Sequence, residues 1–316
     1  MKRRPIIVQG LGAIGRLIAD TARRDPAFRV AAVVDSAEAL AGKKVVEGVP
    51  PPFATLAEAH SHAPEANLVL QATTSWLEEV TPLVLEAVLR DMSVVSTCEE
   101  LAFPFQRHPR ISERIDRVAR NHRCAVVGTG INPGFLMDAL PVTLTSASHD
   151  VRRVRVERVL DPRPRREAFR RKMGLGLTRH AFDEVLATGR LGHAGLLESG
   201  RLVAAGLGWE EVSWKGGMRG IEAEDGTMLG MIQTLMGTTP DGRCIELHFE
   251  ANAKVTSGVD RIEVDGVPTL RLQFEGGVSG DDGTAAAVLR AARVIDAAPR
   301  GLVTILDLPA RAWREY

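Results

Sequence analysis

An apolar run, Ile6-Ile7-Val8, leads through Gln9 into Gly10-Leu11-Gly12-Ala13-Ile14-Gly15 and on into a helix-like stretch, so three glycines stand at the spacing Gly-x-Gly-x-x-Gly. That order suits the pyrophosphate of a dinucleotide. Gly10 permits the tight turn, Gly12 lets the backbone approach the phosphates, and Gly15 lets helix lie close on strand. Ala13 and Ile14 then open a helix whose N-terminus faces the anion. Twenty residues after Gly15, Asp35 ends a second apolar run, Val30 to Val34, where a carboxylate accepts bonds from the adenosine ribose hydroxyls. The same carboxylate repels a 2′-phosphate and Ser36-Ala37 brings no arginine beside it, so NAD is favoured, with Lys43 and Lys44 near enough to keep NADP open. The plain alternative is a glycine-rich turn or a Rossmann domain without its ligand.

Other groups able to do chemistry follow further apolar runs. Thr73 and Thr74 come after Leu68 to Ala72, and Glu99 and Glu100 come just after Ser93 to Ser96. The carboxyl ends of parallel strands are the edge where ligands bind in doubly wound sheets. The threonines suit a ribose or pyrophosphate, or simply a turn; the glutamates suit acid–base work, or the capping of a helix. In Gly128-Thr129-Gly130-Ile131-Asn132-Pro133-Gly134, glycines such as Gly130 allow close backbone approach. Asn132 has the groups to bond a nicotinamide carboxamide, or to satisfy its own backbone in a tight crossover turn. Cys98 reads as a small buried residue before it reads as a nucleophile. Between Arg152 and Lys172 stand nine Arg and one Lys against Glu157, Asp161 and Glu167. Most of these form a solvated face, and one of them is a natural bidentate partner for a substrate carboxylate.

These residues need a scaffold, and 316 residues suggest about two domains. The first third alternates short, wholly apolar runs with amphipathic stretches, the pattern of βαβ units around a parallel sheet covered on both faces. The Cys124 to Val127 run continues the series. Beyond about residue 145, strict alternation takes over, as in Ile245, Leu247, Phe249 and Ala251 against Glu246, His248, Glu250 and Asn252. Val154 to Val156, Ile262 to Val264 and Leu270 to Phe274 repeat it, with Asp265-Gly266 read as the hairpin turn between the last two. This predicts an α/β fold: a Rossmann doubly wound parallel sheet over 1–140, and a second α+β domain over 141–284 built on a mostly antiparallel sheet. The alanine-rich helix and apolar segment of 285–316 are expected to complete the first domain, and a cleft between the domains is the expected site.

Composition sets limits. Hydrophobic residues make up 45% and charged residues 25%, and 40 basic residues balance 40 acidic ones. No global field is present to hold nucleic acid or an anionic membrane. Cys98, Cys124 and Cys244 have neither disulfide nor zinc spacing, so no metal site is expected. His60-x-His62 reads as part of a solvated helix face. Met1-Lys2-Arg3-Arg4 precedes too short an apolar run for a signal peptide, and no stretch of about 18 apolar residues occurs, so the expected location is cytoplasmic.

Several segments together resemble the 2,4-diaminopentanoate dehydrogenase family: Gln71-Ala72-Thr73-Thr74-Ser75-Trp76, Ser96-Thr97-Cys98-Glu99-Glu100-Leu101, Gly128 to Phe135, and Arg165 to Thr178. His193 to Ser199 and Gly276 to Asp281 add to it. The resemblance covers nearly the whole chain. It also reaches the native amine dehydrogenases, which aminate ketones and aldehydes reductively, and, in fold, dihydrodipicolinate reductase. The paired histidines and catalytic lysine of that reductase are absent; Arg171-Lys172 and Gly283-Thr284-Ala285 are partial echoes.

The resemblance implies NAD(P)-dependent interconversion of an amine with a ketone and ammonium, with 2,4-diaminopentanoate as the substrate of choice. The alternatives are simple ketones and aldehydes, a reductase of the dihydrodipicolinate type, or a nucleotide-sensing protein. It implies a catalytic glutamate in the Glu99–Glu100 region, and Glu99, the first after the strand, is preferred. Trp76, Phe135 and Trp209 or Trp214 are candidates to line an apolar pocket. The expected partners are a small amine or ketone, ammonium, and a second copy of the chain in a homodimer formed through the open face of the antiparallel sheet.

Overall fold

The computed structural model describes residues 3–310; Met1, Lys2 and the last six residues of the expected 285–316 segment lie outside them. The chain forms two compact units, Met1–Phe135 with Gly280–Tyr316, and Leu136–Ser279.

The first unit opens with β1 (Arg4–Gln9), α1 (Ala13–Arg24), β2 (Phe28–Val34), α2 (Leu56–His62), β3 (Leu68–Gln71), α3 (Leu77–Val88), β4 (Ser93–Ser96), α4 (Pro109–Asn121) and β5 (Ala125–Gly128). The second unit follows with α5 (Ala139–Thr145), β6 (His149–Leu160), α6 (Glu167–Lys172), α7 (Arg179–Ala187), α8 (Leu196–Gly206), β7 (Ser213–Glu222), β8 (Met228–Thr238), β9 (Cys244–Asn252), β10 (Gly258–Val267) and β11 (Leu270–Gly276). The chain then returns to the first unit through α9 (Gly280–Val294) and β12 (Gly301–Val303).

In the first unit the sheet order is β12-β5-β4-β3-β1-β2, and every adjacent pair is parallel. Strands β3, β4 and β5 are buried at every position, which is why they read as continuous apolar runs: helices cover both faces. One face packs under α2, α3 and α4, with Ile7, Val69, Val94 and Val126 side by side in the core. On the other face α9 lies against α1, β3 and β4. Its anchor is Asp25, a fully buried carboxylate that receives two 2.6 Å bonds from Arg293 Nη2.

The second unit's sheet runs β11-β10-β6-β9-β8-β7, antiparallel except for the β6–β9 pair. Its inward positions Val154, Val156, Ile245, Leu247 and Ile262 pack with Leu196 and Val203 of α8. The opposite face carries in-plane ion pairs, Arg153–Asp265 at 2.9 Å, Arg261–Glu157 at 2.7 Å and Arg271–Glu263 at 2.9 Å.

Two expectations are corrected here. Asp265-Gly266 is not the hairpin turn: both lie within β10, which continues along β6, with Asp265 opposite Arg153 and bonded to it. The turn falls at Pro268-Thr269, where proline, with no N–H to donate and a fixed φ, leaves the ladder at no cost. Strands β7 and β8 were not anticipated, because glycines at 216, 217, 220, 230 and 237 interrupt their alternation. The Trp214 ring lies against Gly237 of β8 and Gly200 of α8.

Candidate active site

The ladder of the parallel sheet extends one step past the strands at a single level. Gly10 N–H donates to Val34 O, Ala72 N–H to Gln9 O, Thr97 N–H to Gln71 O and Thr129 N–H to Ser96 O, at 2.8 to 2.9 Å. The carboxyl-edge loops of β1, β3, β4 and β5 are thereby tied together, and the candidate residues of the first unit are distributed along them.

In the glycine loop, Gly10 has φ +88°. A Cβ there would stand 2.5 Å from Ala72 O, and one on Gly15 would stand 1.7 Å from Gly10 O. Gly12 differs: a Cβ on it would meet nothing within 4 Å. Gly10 and Gly15 are therefore required by packing, whereas Gly12 leaves room on the open side of the loop. Gly12 is also the N-cap of α1, and no side chain caps that helix end, so Ala13 and Ile14 open a helix with N–H groups to offer an anion. Asp35 sits beside the loop, its Oδ2 accepting from Leu11 N–H at 2.6 Å and its Oδ1 from Ala37 N–H at 2.9 Å. Lys43 and Lys44 are exposed in the segment that follows.

Past β3, Thr73 is exposed and its Cγ2 lies beside Gly10. Thr74 is committed to the turn, donating to Glu79 Oε2 at 2.6 Å and accepting from Trp76 N–H. Past β5, Ile131 N–H donates to Thr284 Oγ1 at 3.3 Å, which holds the Gly130 loop against α9. Asn132 Oδ1 is buried and has no hydrogen-bond partner among the described residues. Room at Gly12, an uncapped helix start and this unsatisfied amide oxygen together fit a dinucleotide.

The two glutamates separate cleanly. Glu100 is buried, 2% exposed. Its Oε2 accepts from Leu77 N–H at 2.7 Å, capping α3, and its Oε1 lies 3.0 Å from Arg107 Nη2. His108 Nε2 stands 3.3 Å from Oε2. Both oxygens thus help to hold α3 and the following loop. Glu99 is half-buried, with Oε1 accepting from Ser75 Oγ at 2.9 Å. Cys98 is 1% exposed; burial pushes its thiol well up, and Glu100 and Glu99 add to the shift.

In the second unit the arginine-rich stretch resolves residue by residue. Arg153 and Arg155 lie on the outer sheet face with Glu246, Arg163 pairs with Asp161, and Arg171 pairs with Glu167. Arg158 is buried: its Nη2 donates to Val278 O at 2.5 Å and its Nε lies 3.6 Å from Asp260 Oδ1. Arg165, stacked over Phe169, is engaged as well, and so are Arg166 and Lys172. Arg152 and Arg170 are exposed. Trp209 is buried in the core under α8 and Trp214 packs against it, while Trp209 also lines an open pocket with Arg152, Asp241 and Arg243. Among the histidines, His60 and His62 sit in the last turn of α2, and His248 faces Glu250 on the outer sheet face. Buried His193 lies 5.7 Å from the Phe249 ring. Among the described residues no three His, Cys, Asp or Glu converge to hold a metal, and no helix is long and apolar enough to cross a membrane.

The chain is similar to known proteins along its whole length. A family model described as the 2,4-diaminopentanoate dehydrogenase C-terminal domain matches residues 135–314. The 2,4-diaminopentanoate dehydrogenase of Acetoanaerobium sticklandii is 28% identical over 334 residues, covering 98% of this chain and 94% of that protein. Among solved structures, the amine dehydrogenase from Mycobacterium smegmatis superposes with a TM-score of 0.86 at 19% identity, covering 99% of this chain and 98% of that one. GenD2 from gentamicin A biosynthesis, solved in complex with NAD, does so with a TM-score of 0.61 at 16% identity, covering 97% and 90%. These two likenesses are of fold. The family model takes in more than half of the residues, and the chain belongs to the 2,4-diaminopentanoate dehydrogenase family.

Proposed function

We propose that this protein is an NAD(P)-dependent amine dehydrogenase, with NAD the preferred cofactor and 2,4-diaminopentanoate the preferred substrate. The balanced reaction takes the diamino acid, NAD⁺ and water to 2-amino-4-oxopentanoate, NADH, ammonium and a proton. The observation that carries the reading is the Glu99 carboxylate, held by Ser75 on the same sheet edge as the glycine loop, in a chain of this family.

Each residue has a task that its chemistry allows. Gly12 and the N-terminus of α1 receive the pyrophosphate, Asp35 the ribose hydroxyls, Thr73 the adjoining ribose or phosphate, and Asn132, next to Gly130, the carboxamide. Hydride acceptance is the chemistry a bound nicotinamide supplies. Glu99 does the rest of the proton work. Its carboxylate binds the substrate ammonium and takes one proton from it, because only the neutral amine can release a hydride from its carbon. Once that proton has passed to solvent, the regenerated carboxylate takes a proton from the water that adds to the resulting iminium and returns it to the departing ammonia. Lying against Asp35, a 2′-phosphate would bring two negative charges together, which supports NAD.

The test is NADH formation at alkaline pH with 2,4-diaminopentanoate and with simple amines, using NAD and NADP in parallel. Turnover of the diamino acid is expected; turnover of simple amines alone would replace this substrate with one lacking a carboxylate. We further infer a homodimer through the ion-paired outer face of the antiparallel sheet, checked by sedimentation equilibrium.

A further inference from the structure

Three hydrogen bonds tie the loop after β3 to the loop after β4. Ser75 Oγ donates to Glu99 Oε1 at 2.9 Å, Glu100 N–H donates to Ser75 O at 3.2 Å, and Leu77 N–H donates to Glu100 Oε2 at 2.7 Å. Ser75 is therefore fixed at both ends: its carbonyl by the backbone of Glu100, and its hydroxyl by the side chain of Glu99. Glu100 is in turn held by Arg107. A strand-end glutamate left to itself would sample several rotamers, since its side chain carries among the larger conformational entropies. Here the loops are cross-linked around it.

We propose that Ser75 is a positioning residue for Glu99: its hydroxyl fixes the carboxylate in one orientation and favours its ionised form, with Glu100 as the buried strut that places Ser75. This rests on the reading of Glu99 as the acid–base group. A hydrogen bond donated to a carboxylate favours the charged state. Removal of the donor should therefore raise the pH at which Glu99 ionises, by about one unit for a charge-assisted bond that water partly replaces. The ionisable groups around this bond in the first unit include Cys98, Glu100 with Arg107 and His108 behind it, and Glu79 bonded to Thr74.

The experiment titrates Glu99 directly, without requiring turnover. Protein carrying glutamate labelled with carbon-13 at Cδ is followed by NMR from pH 3 to 9, and the Glu99 signal is identified by its loss in Glu99→Gln. The expected result is a midpoint about one unit higher in Ser75→Ala, with Ser75→Thr, which keeps the hydroxyl, returning to the unaltered value. Ser75→Cys, close in size and a weak donor, should shift the same way as Ser75→Ala, and it stands in if the alanine variant fails to fold by circular dichroism. Coincident midpoints in the unaltered, alanine and cysteine proteins, or a threonine variant displaced as far as alanine, would overturn the proposal. In steady-state runs the acid limb of kcat/KM should move with the midpoint while cofactor affinity stays put. Full turnover by Glu99→Gln would sink the acid–base reading of Glu99 while a shifted midpoint still upheld the Ser75 bond; an unmoved midpoint alongside an inactive Glu99→Gln would sink the positioning role alone.

Discussion

Replacing Glu99 by Gln preserves the side chain's shape and its ability to accept from Ser75, but removes the charge that binds ammonium and the site that takes a proton. Turnover should fall by roughly 10² to 10⁴-fold, while NADH affinity, measured by fluorescence titration, is unchanged. Glu100→Gln should behave differently. It leaves Arg107 beside a neutral amide and weakens the cap on α3, so its main effect is a loss of about 1–3 kcal/mol in stability, read from urea unfolding. The cysteines give a simple check on burial. Burial pushes Cys124 up to about 11 and raises Cys98 and Cys244 as well. At pH 8 the folded protein should react only slowly with a disulfide reagent, and all three thiols should react after denaturation. At this scale the sequence was partly legible. Two adjacent acids after a strand point to chemistry, but what each one holds depends on Ser75 and Leu77, whose bonds to Glu99 and Glu100 span 24 and 23 residues.

The glycine loop carries the clearest element-scale prediction, because its glycines have different jobs. Gly12→Ala puts a methyl into open space at an ordinary φ of −63°. Stability should change by less than about 0.5 kcal/mol, while cofactor affinity falls about tenfold or more, or roughly 1.4 kcal/mol. Gly15→Ala drives a Cβ to within 1.7 Å of a backbone oxygen, so it should cost about 3 kcal/mol of stability before any ligand is added. Differential scanning calorimetry with and without NADH separates the two. Equal thermal shifts in both variants would remove the distinction between the packing glycines and Gly12. The strands of the first unit were readable because two-sided burial leaves no polar alternation in them. In the second unit, β6, β9, β10 and β11 showed their period of two, whereas glycines hid β7 and β8. The hairpin turn lies beyond Asp265-Gly266, although Asp-Gly is the stronger local turn signal, because pairing along β6 overrides it.

At the scale of the whole molecule, the first unit is discontinuous: it leaves at Phe135 and returns at Gly280. Its closure depends on α9 and β12, which add a helix against α1 and a strand beside β5, and on Arg293 reaching Asp25 across 268 residues of sequence. Asp25→Ala leaves a cation mostly buried without this carboxylate. It should cost about 3–5 kcal/mol, with hydrogen exchange rising in α1 and α9 before it rises in the second unit's sheet. A uniform rise throughout would show that the closure is not local to the first unit.

The sequence by itself determined which stretches are strands buried on both faces, where the glycine-rich turn lies, and which two acids and which amide stand at strand ends. Those properties are local: periodicity, glycine at fixed spacing, and residue type just after an apolar run. The tertiary structure decided what each of those groups is free to do. It committed Glu100 to a helix cap and Thr74 to a turn, placed Trp209 and Trp214 in a core, buried Arg158 beside Asp260, and set Ser75 against Glu99. The reason is physical. A polar group's chemistry is set by whichever partners satisfy it, and those partners come from loops that lie together only after the sheet has formed.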